Sequence, residues 1–144
     1  MENISLVRDY LGGQAVIGLP ESELDFVPII REGFPFSVFA ALRDRAQLSE
    51  ETICNSLRIA KRTAARRKKD AARLKPAESE LLLRLARVLA SATEVLGDED
   101  KGRDWLTSRN RALGGTAPID LLDTGLGFEE VMDVLARIEH GVYS

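Results

Sequence analysis

Eight apolar residues fall into one helical register between Pro76 and Gly97: Leu81, Leu82, Leu85, Val88, Leu89, Ala92, Val95 and Leu96. Spacings of i, i+3, i+4 and i+7 put them on one face of a long amphipathic helix. Pro76 suits the first turn, where a missing N–H costs nothing, and Gly97 suits the stop. Such a stripe must be covered by other elements. It is wider than one small bundle needs, which predicts a homodimer with Leu81, Leu85, Val88 and Leu89 in the core or at the subunit contact.

The flanking segments read the same way. Leu6, Val7, Tyr10 and Leu11 share one side of a short helix that Gly12-Gly13 ends, and Ser22 caps a second that runs through Ile29 and Ile30 to Gly33. Val38, Phe39, Leu42 and Ala46 mark a further helix. Ser49 followed by Glu50 and Glu51 is an N-cap with acids in the first turn, which the helix dipole favours. Ile53 and Leu57 lie one turn apart on that helix. Leu57-Arg58-Ile59-Ala60 predicts a tight turn, and the next helix runs from about Lys61 to Ala72 with Ala64 and Ala65 inward. Beyond Gly97, Asp98-Glu99-Asp100 opens a short helix carrying Trp105 and Leu106. Pro118 starts another, and Thr124 precedes a last one striped by Phe128, Val131, Val134, Leu135 and Ile138. No β-alternation interrupts, so the expected fold class is all-α: a helix-turn-helix bundle followed by a small C-terminal helical domain. The expected divisions are an N-terminal segment (1–33), a helix-turn-helix region (34–75), a connecting or dimerisation helix (76–97) and a C-terminal domain (98–144).

Charge is segregated along this plan. Arg58 to Lys75 holds nine cations and one acid, Asp70, whereas the remaining residues carry 11 cations and 22 acids. A solvated helix face ordinarily interleaves Glu with Lys. A cationic stripe on the second helix of a helix-turn-helix pair is what duplex DNA demands. Lys61, Arg62, Thr63, Arg66, Arg67, Lys68 and Lys69 are the candidate DNA-binding residues. Arg62 and Thr63 stand near the helix start, where side chains reach base edges. The later cations occupy too many azimuths to read one groove floor, so some grip phosphates.

Catalysis and metal binding find little support. One cysteine (Cys54) and one histidine (His140) make neither an internal disulfide nor, without carboxylates, a tetrahedral zinc site. No nucleophile–base constellation occurs, so the expectation is a non-enzyme without cofactor. Cys54 reads as a small buried apolar residue and His140 as a C-terminal helix residue near free carbonyls. The opening residues lack a signal-peptide layout and no apolar run approaches a membrane span; the expectation is a cytoplasmic protein with no membrane partner. Trp105 reads as core anchor or binding anchor. The loop Ser108–Gly115 reads as a structured turn or a partner surface.

An ordered set of motifs adds to this. Trp105-Leu106, Asn110 to Pro118 (NRALGGTAP), Leu121-Leu122-Asp123-Thr124 and Arg137-Ile138-Glu139-His140-Gly141 follow the basic helix in series. Over residues 34–144 this resembles the antitoxins of the Xre/MbcA/ParS-like family. The resemblance implies a type II antitoxin that neutralises a RES-type toxin, an NAD-consuming or ADP-ribosylating enzyme, and represses its own operon by binding operator DNA. It also implies that the final helix and tail meet the toxin's cleft. The candidate toxin-binding residues are Arg109, Asn110, His140, Val142, Tyr143 and Ser144. The alternatives are a stand-alone helix-turn-helix regulator with a C-terminal dimerisation or sensing domain, or an adaptor for RNA or an acidic protein.

Overall fold

Asn3 opens the first helix: its side-chain oxygen accepts the Leu6 N–H at 3.0 Å, and α1 (Ile4–Tyr10) buries Val7 and Tyr10. The computed structural model describes residues 3–141. A single turn, α2 (Gln14–Ile17), follows. The Asp25 carboxylate accepts N–H bonds from Glu21 at 2.8 Å and Ser22 at 3.1 Å. Those two bonds hold its carboxyl below the usual range and close a short 3₁₀ turn that leads into α3 (Phe26–Glu32). Then come α4 (Ser37–Ala46), α5 (Glu50–Leu57), α6 (Lys61–Lys69) and α7 (Pro76–Leu96). The chain finishes with α8 (Glu99–Thr107), two 3₁₀ turns (Arg111–Leu113 and Pro118–Leu121) and α9 (Gly125–Glu139). Among the described residues there is no strand; one isolated bridge joins Asn110 to Thr116. The class is all-α.

The caps sit where side-chain chemistry places them. Ser49, Asp98 and Thr124 each accept the N–H three residues on, from Thr52 at 3.0 Å, Lys101 at 2.7 Å and Gly127 at 3.0 Å. Each satisfies a donor that the helix itself leaves orphaned.

Helix α7 is the hub. It packs against α1, α3, α4, α8 and α9, and Leu82, Leu85, Ala86, Val88, Leu89 and Ala92 are fully buried. The surplus of its stripe is therefore absorbed by the same chain. Leu85, Val88 and Leu89 belong to the internal core, the first of the two places expected for them, and Leu81 is half-buried beside it. The approach of α8 is close because Gly102 faces it: a Cβ there would lie 3.1 Å from the Thr93 nitrogen.

The basic helix is shorter than its composition predicts. It ends at Lys69, not Ala72. Ala71 turns left-handed (φ 50°) and the Ala72 N–H bonds back to Arg67 O at 3.0 Å, a Schellman closure without glycine. The reason is tertiary. Leu74 is buried and its N–H donates to Phe34 O at 2.8 Å, while Arg73 donates to Gly33 O at 2.8 Å. Gly33 must be glycine: φ is +92° and a Cβ would stand 2.1 Å from Leu74 O. Ser79, fully buried on α7, accepts the Phe34 N–H at 2.8 Å and donates to Lys75 O at 2.9 Å. Nothing local in the sequence signals that role.

Candidate nucleic-acid interface and partner-binding half

The turn between α5 and α6 is built by two bonds. Arg58 adopts the left-handed conformation (φ 57°), which lets the Ile59 N–H return to Cys54 O at 2.9 Å. Ile59 is buried under the turn. Ala60 is extended and its carbonyl accepts the Ala64 N–H at 3.1 Å, starting α6. Cys54 is buried on α5, and that burial raises its thiol pKa.

Only Ala64 is buried on α6; Thr63 and Arg67 are half-buried and the rest exposed. Ala65 faces solvent, contrary to the expectation of two inward alanines. A helix resting on its neighbour through one small residue turns the next by about 100° away from the contact. The same rotation places Arg62, Arg66 and Lys69 opposite Ala64, as one outer ridge at i, i+4 and i+7.

The cations divide by partner. Lys61 pairs with Glu51 at 3.0 Å. Arg67 is turned inward onto Glu78 of α7 at 3.4 Å, both side chains only 15% exposed. Arg73 reaches Glu32 at 3.5 Å. Arg58, 79% exposed, is held by Asp123 at 3.0 Å. Arg62, Arg66, Lys68 and Lys69 make no ion pair with any described residue. Arg67 thus belongs to the frame of the helix, whereas the outer ridge faces solvent.

The C-terminal half has a different surface, with ten acids and five cations from Asp98 onward. Its connecting loop is rigidly made. Asn110 is buried, its side chain accepts the Ala112 N–H at 3.0 Å, and its carbonyl accepts the Gly115 N–H at 2.9 Å. Asn110 thereby shapes the loop from inside, while Arg109 and Arg111 stand exposed on it. Trp105 is partly buried against the core. Val131, Val134 and Leu135 of α9 are buried; Phe128, under the Arg87 guanidinium at 4.8 Å, and Ile138 are half-buried. His140 is the exposed C-cap, its imidazole 3.9 Å from the Glu139 carboxylate rather than on the final carbonyls. Val142, Tyr143 and Ser144 lie outside the described residues.

The two halves are joined beside the turn. Ser56 of α5 donates to Asp120 at 3.0 Å, and Arg58 pairs with Asp123 two residues further along the first segment and three along the second. No described group of three or more His, Cys, Asp or Glu could hold a metal ion. No described helix is long and apolar enough to cross a membrane.

Comparisons with known proteins divide the chain at the same helix. Residues 25–87 match an antitoxin Xre-like helix-turn-helix domain, and residues 91–141 match the antitoxin Xre/MbcA/ParS C-terminal toxin-binding domain. An antitoxin Xre of Yersinia enterocolitica is 35% identical, covering 89% of this chain and 88% of the relative. An antitoxin Xre of Photorhabdus laumondii is 30% identical over the same shares. A Prs ADP-ribosylating antitoxin of Sphingobium sp. is 28% identical, over 85% of this chain and 83% of the relative.

Proposed function

Because the chain belongs to the Xre/MbcA/ParS antitoxin family, we propose that it neutralises a RES-type toxin by covering its active site and represses its own operon through α6. The observation that carries the DNA half is the outer ridge of α6. Arg62, Arg66 and Lys69 face solvent with no internal ion partner on a helix that buries one side chain. The Arg67–Glu78 pair sets the helix on its frame, and the exposed cations meet phosphates and base edges. Two copies acting together would reach half-sites about one helical turn, ~34 Å, apart.

The toxin half is supported by the matched toxin-binding domain and by its acidic surface. An enzyme that binds a pyrophosphate cofactor needs a cationic cleft, which such a surface complements. One relative's name couples an antitoxin to ADP-ribosylation, in keeping with a toxin of that chemistry. In this reading His140, Val142, Tyr143 and Ser144 enter the cleft, Tyr143 contributing a large rigid surface with a polar tip. Arg109 would meet the toxin from the loop that Asn110 shapes.

Co-expression tests it. The full chain restores growth to cells making the toxin encoded beside it, and a chain lacking Val142 to Ser144 protects less while retaining fold and DNA binding. Equal protection by the shortened chain would move the blocking surface to Arg109–Gly115. No protection by the full chain would overturn the neutralising role.

A further inference from the structure

Asp123 sits in the toxin-binding half, 65 residues from Arg58, yet its carboxylate is the group that holds the arginine in the turn ahead of the basic helix. The contact uses Arg58 Nε and Asp123 Oδ2, at 3.0 Å. The two terminal nitrogens of the guanidinium make no hydrogen bond to a described residue, and the side chain is 79% exposed. A guanidinium bound through Nε keeps its outer edge available for two further N–H···O bonds in a fixed plane.

The backbone that carries this carboxylate is held firmly. Arg84 of α7 donates to the carbonyls of Leu122 at 3.2 Å and Asp123 at 3.4 Å. Ser56 ties Asp120 to α5 at 3.0 Å. Thr124 caps α9 immediately after, and Gly127 packs so tightly that a Cβ would lie 1.9 Å from Leu121 O. An exposed ion pair of this kind contributes little to folding. So much anchoring around a solvent-facing arginine is better matched to aiming it than to stabilising the chain.

We propose that Asp123 is a positioning residue for DNA binding: it orients the Arg58 fork toward a backbone phosphate flanking the groove that α6 enters. The toxin-binding half thus supplies part of the DNA-contacting apparatus. This rests on the DNA-binding reading above.

The test is discriminating because charge alone argues the other way. Removing a carboxylate beside a DNA surface strengthens binding by simple electrostatics; loss of an aimed arginine weakens it. The full-length protein and its variants are titrated by fluorescence anisotropy, across a salt series, with two duplexes: the fragment upstream of its own reading frame and a random sequence. Arg58→Ala should weaken binding to both and reduce the salt slope by about 0.9, the share of one phosphate contact. Asp123→Ala should also weaken binding, by roughly threefold to tenfold for the loss of a charge-assisted contact. Asp123→Asn, which keeps an acceptor oxygen, should bind at least as well as the natural chain. In an Arg58→Ala background, Asp123→Ala should cost nothing more. Thermal unfolding midpoints close to the natural chain's show that the variants are folded. Asp123→Ala binding as tightly as the natural chain or tighter, or losing as much affinity without Arg58 as with it, overturns the proposal. If the natural chain binds neither duplex, the DNA-binding reading itself fails, which is a separate result.

Discussion

Helices α6 and α7 are neighbours in sequence and opposites in use. The first buries one side chain, Ala64, in nine residues; the second buries eight in twenty-one and packs against α1, α3, α4, α8 and α9. The cations of α6 contribute almost nothing to the core, whereas most of the apolar face of α7 is buried within the chain. A segment that spends its composition on solvent-facing like charges is shaped by something outside the molecule. A segment whose pattern is fully absorbed internally is shaped by folding. The single exception on α6 is Arg67, which joins the frame through Glu78.

Four experiments test this division, beginning with the largest effect. Leu85→Asp on α7 places a carboxylate where the native side chain is fully buried. With no cation to meet it, the loss should be about 4 kcal/mol or more, enough to abolish cooperative unfolding in a chemical denaturation curve. A soluble, cooperatively folded variant would mean that α7 is not the hub.

Gly127→Ala should be the next most damaging. The new methyl group would stand 1.9 Å from the Leu121 carbonyl oxygen, backbone that cannot step aside cheaply. A loss of about 1–3 kcal/mol is expected for overpacking, read as a lowered denaturation midpoint. An unchanged midpoint would show that the last two elements are looser than their packing indicates.

Arg66 and Arg67 are adjacent, and the structure predicts that they separate. Arg67→Ala leaves the half-buried Glu78 without its partner and should destabilise the fold by about 1 kcal/mol. Arg66→Ala should stay within about 0.5 kcal/mol of the natural chain while weakening DNA binding and lowering the salt slope by about one unit. If both change stability equally, the boundary between frame and contact surface is wrong.

Cys54 gives the smallest effect. Burial disfavours its thiolate, so the unfolded chain loses the thiol proton first as pH rises. Its contribution is absent at low pH, and stability falls once pH passes the ordinary thiol value. At neutral pH a thiol reagent should modify it only as fast as the chain opens; immediate modification of the native protein would contradict its burial on α5.

Much of the fold was legible in the sequence because its determinants are local. The i, i+3, i+4 stripe of α7, the cap residues Ser49, Asp98 and Thr124, Pro76 at a helix start and the tight turn over Leu57-Arg58-Ile59-Ala60 all depend on near neighbours. The buried alanine of α6 and its early end were not legible. Ala64 and Ala65 are chemically the same, and only contact with the rest of the bundle chooses between them. The end at Lys69 is set by the pull of Leu74 toward Phe34, 40 residues earlier in the chain.

The candidate site divides in the same way. Its location, a run of cations after a tight turn, is a property of composition and order, and the sequence by itself determined it. Which cations remain available to a partner is a property of carboxylates that come from elsewhere: Glu78 lies 11 residues from Arg67 and Asp123 lies 65 from Arg58. Periodicity reports which face of a helix is apolar, since that follows from a fixed rotation per residue. It carries no information about what distant segment settles beside the polar face. Helical class, element order and the charge stripe therefore belonged to the sequence, while the inward turn of Arg67, the buried hydroxyl of Ser79 and the hold of Asp123 on Arg58 arose only when the chain closed around α7.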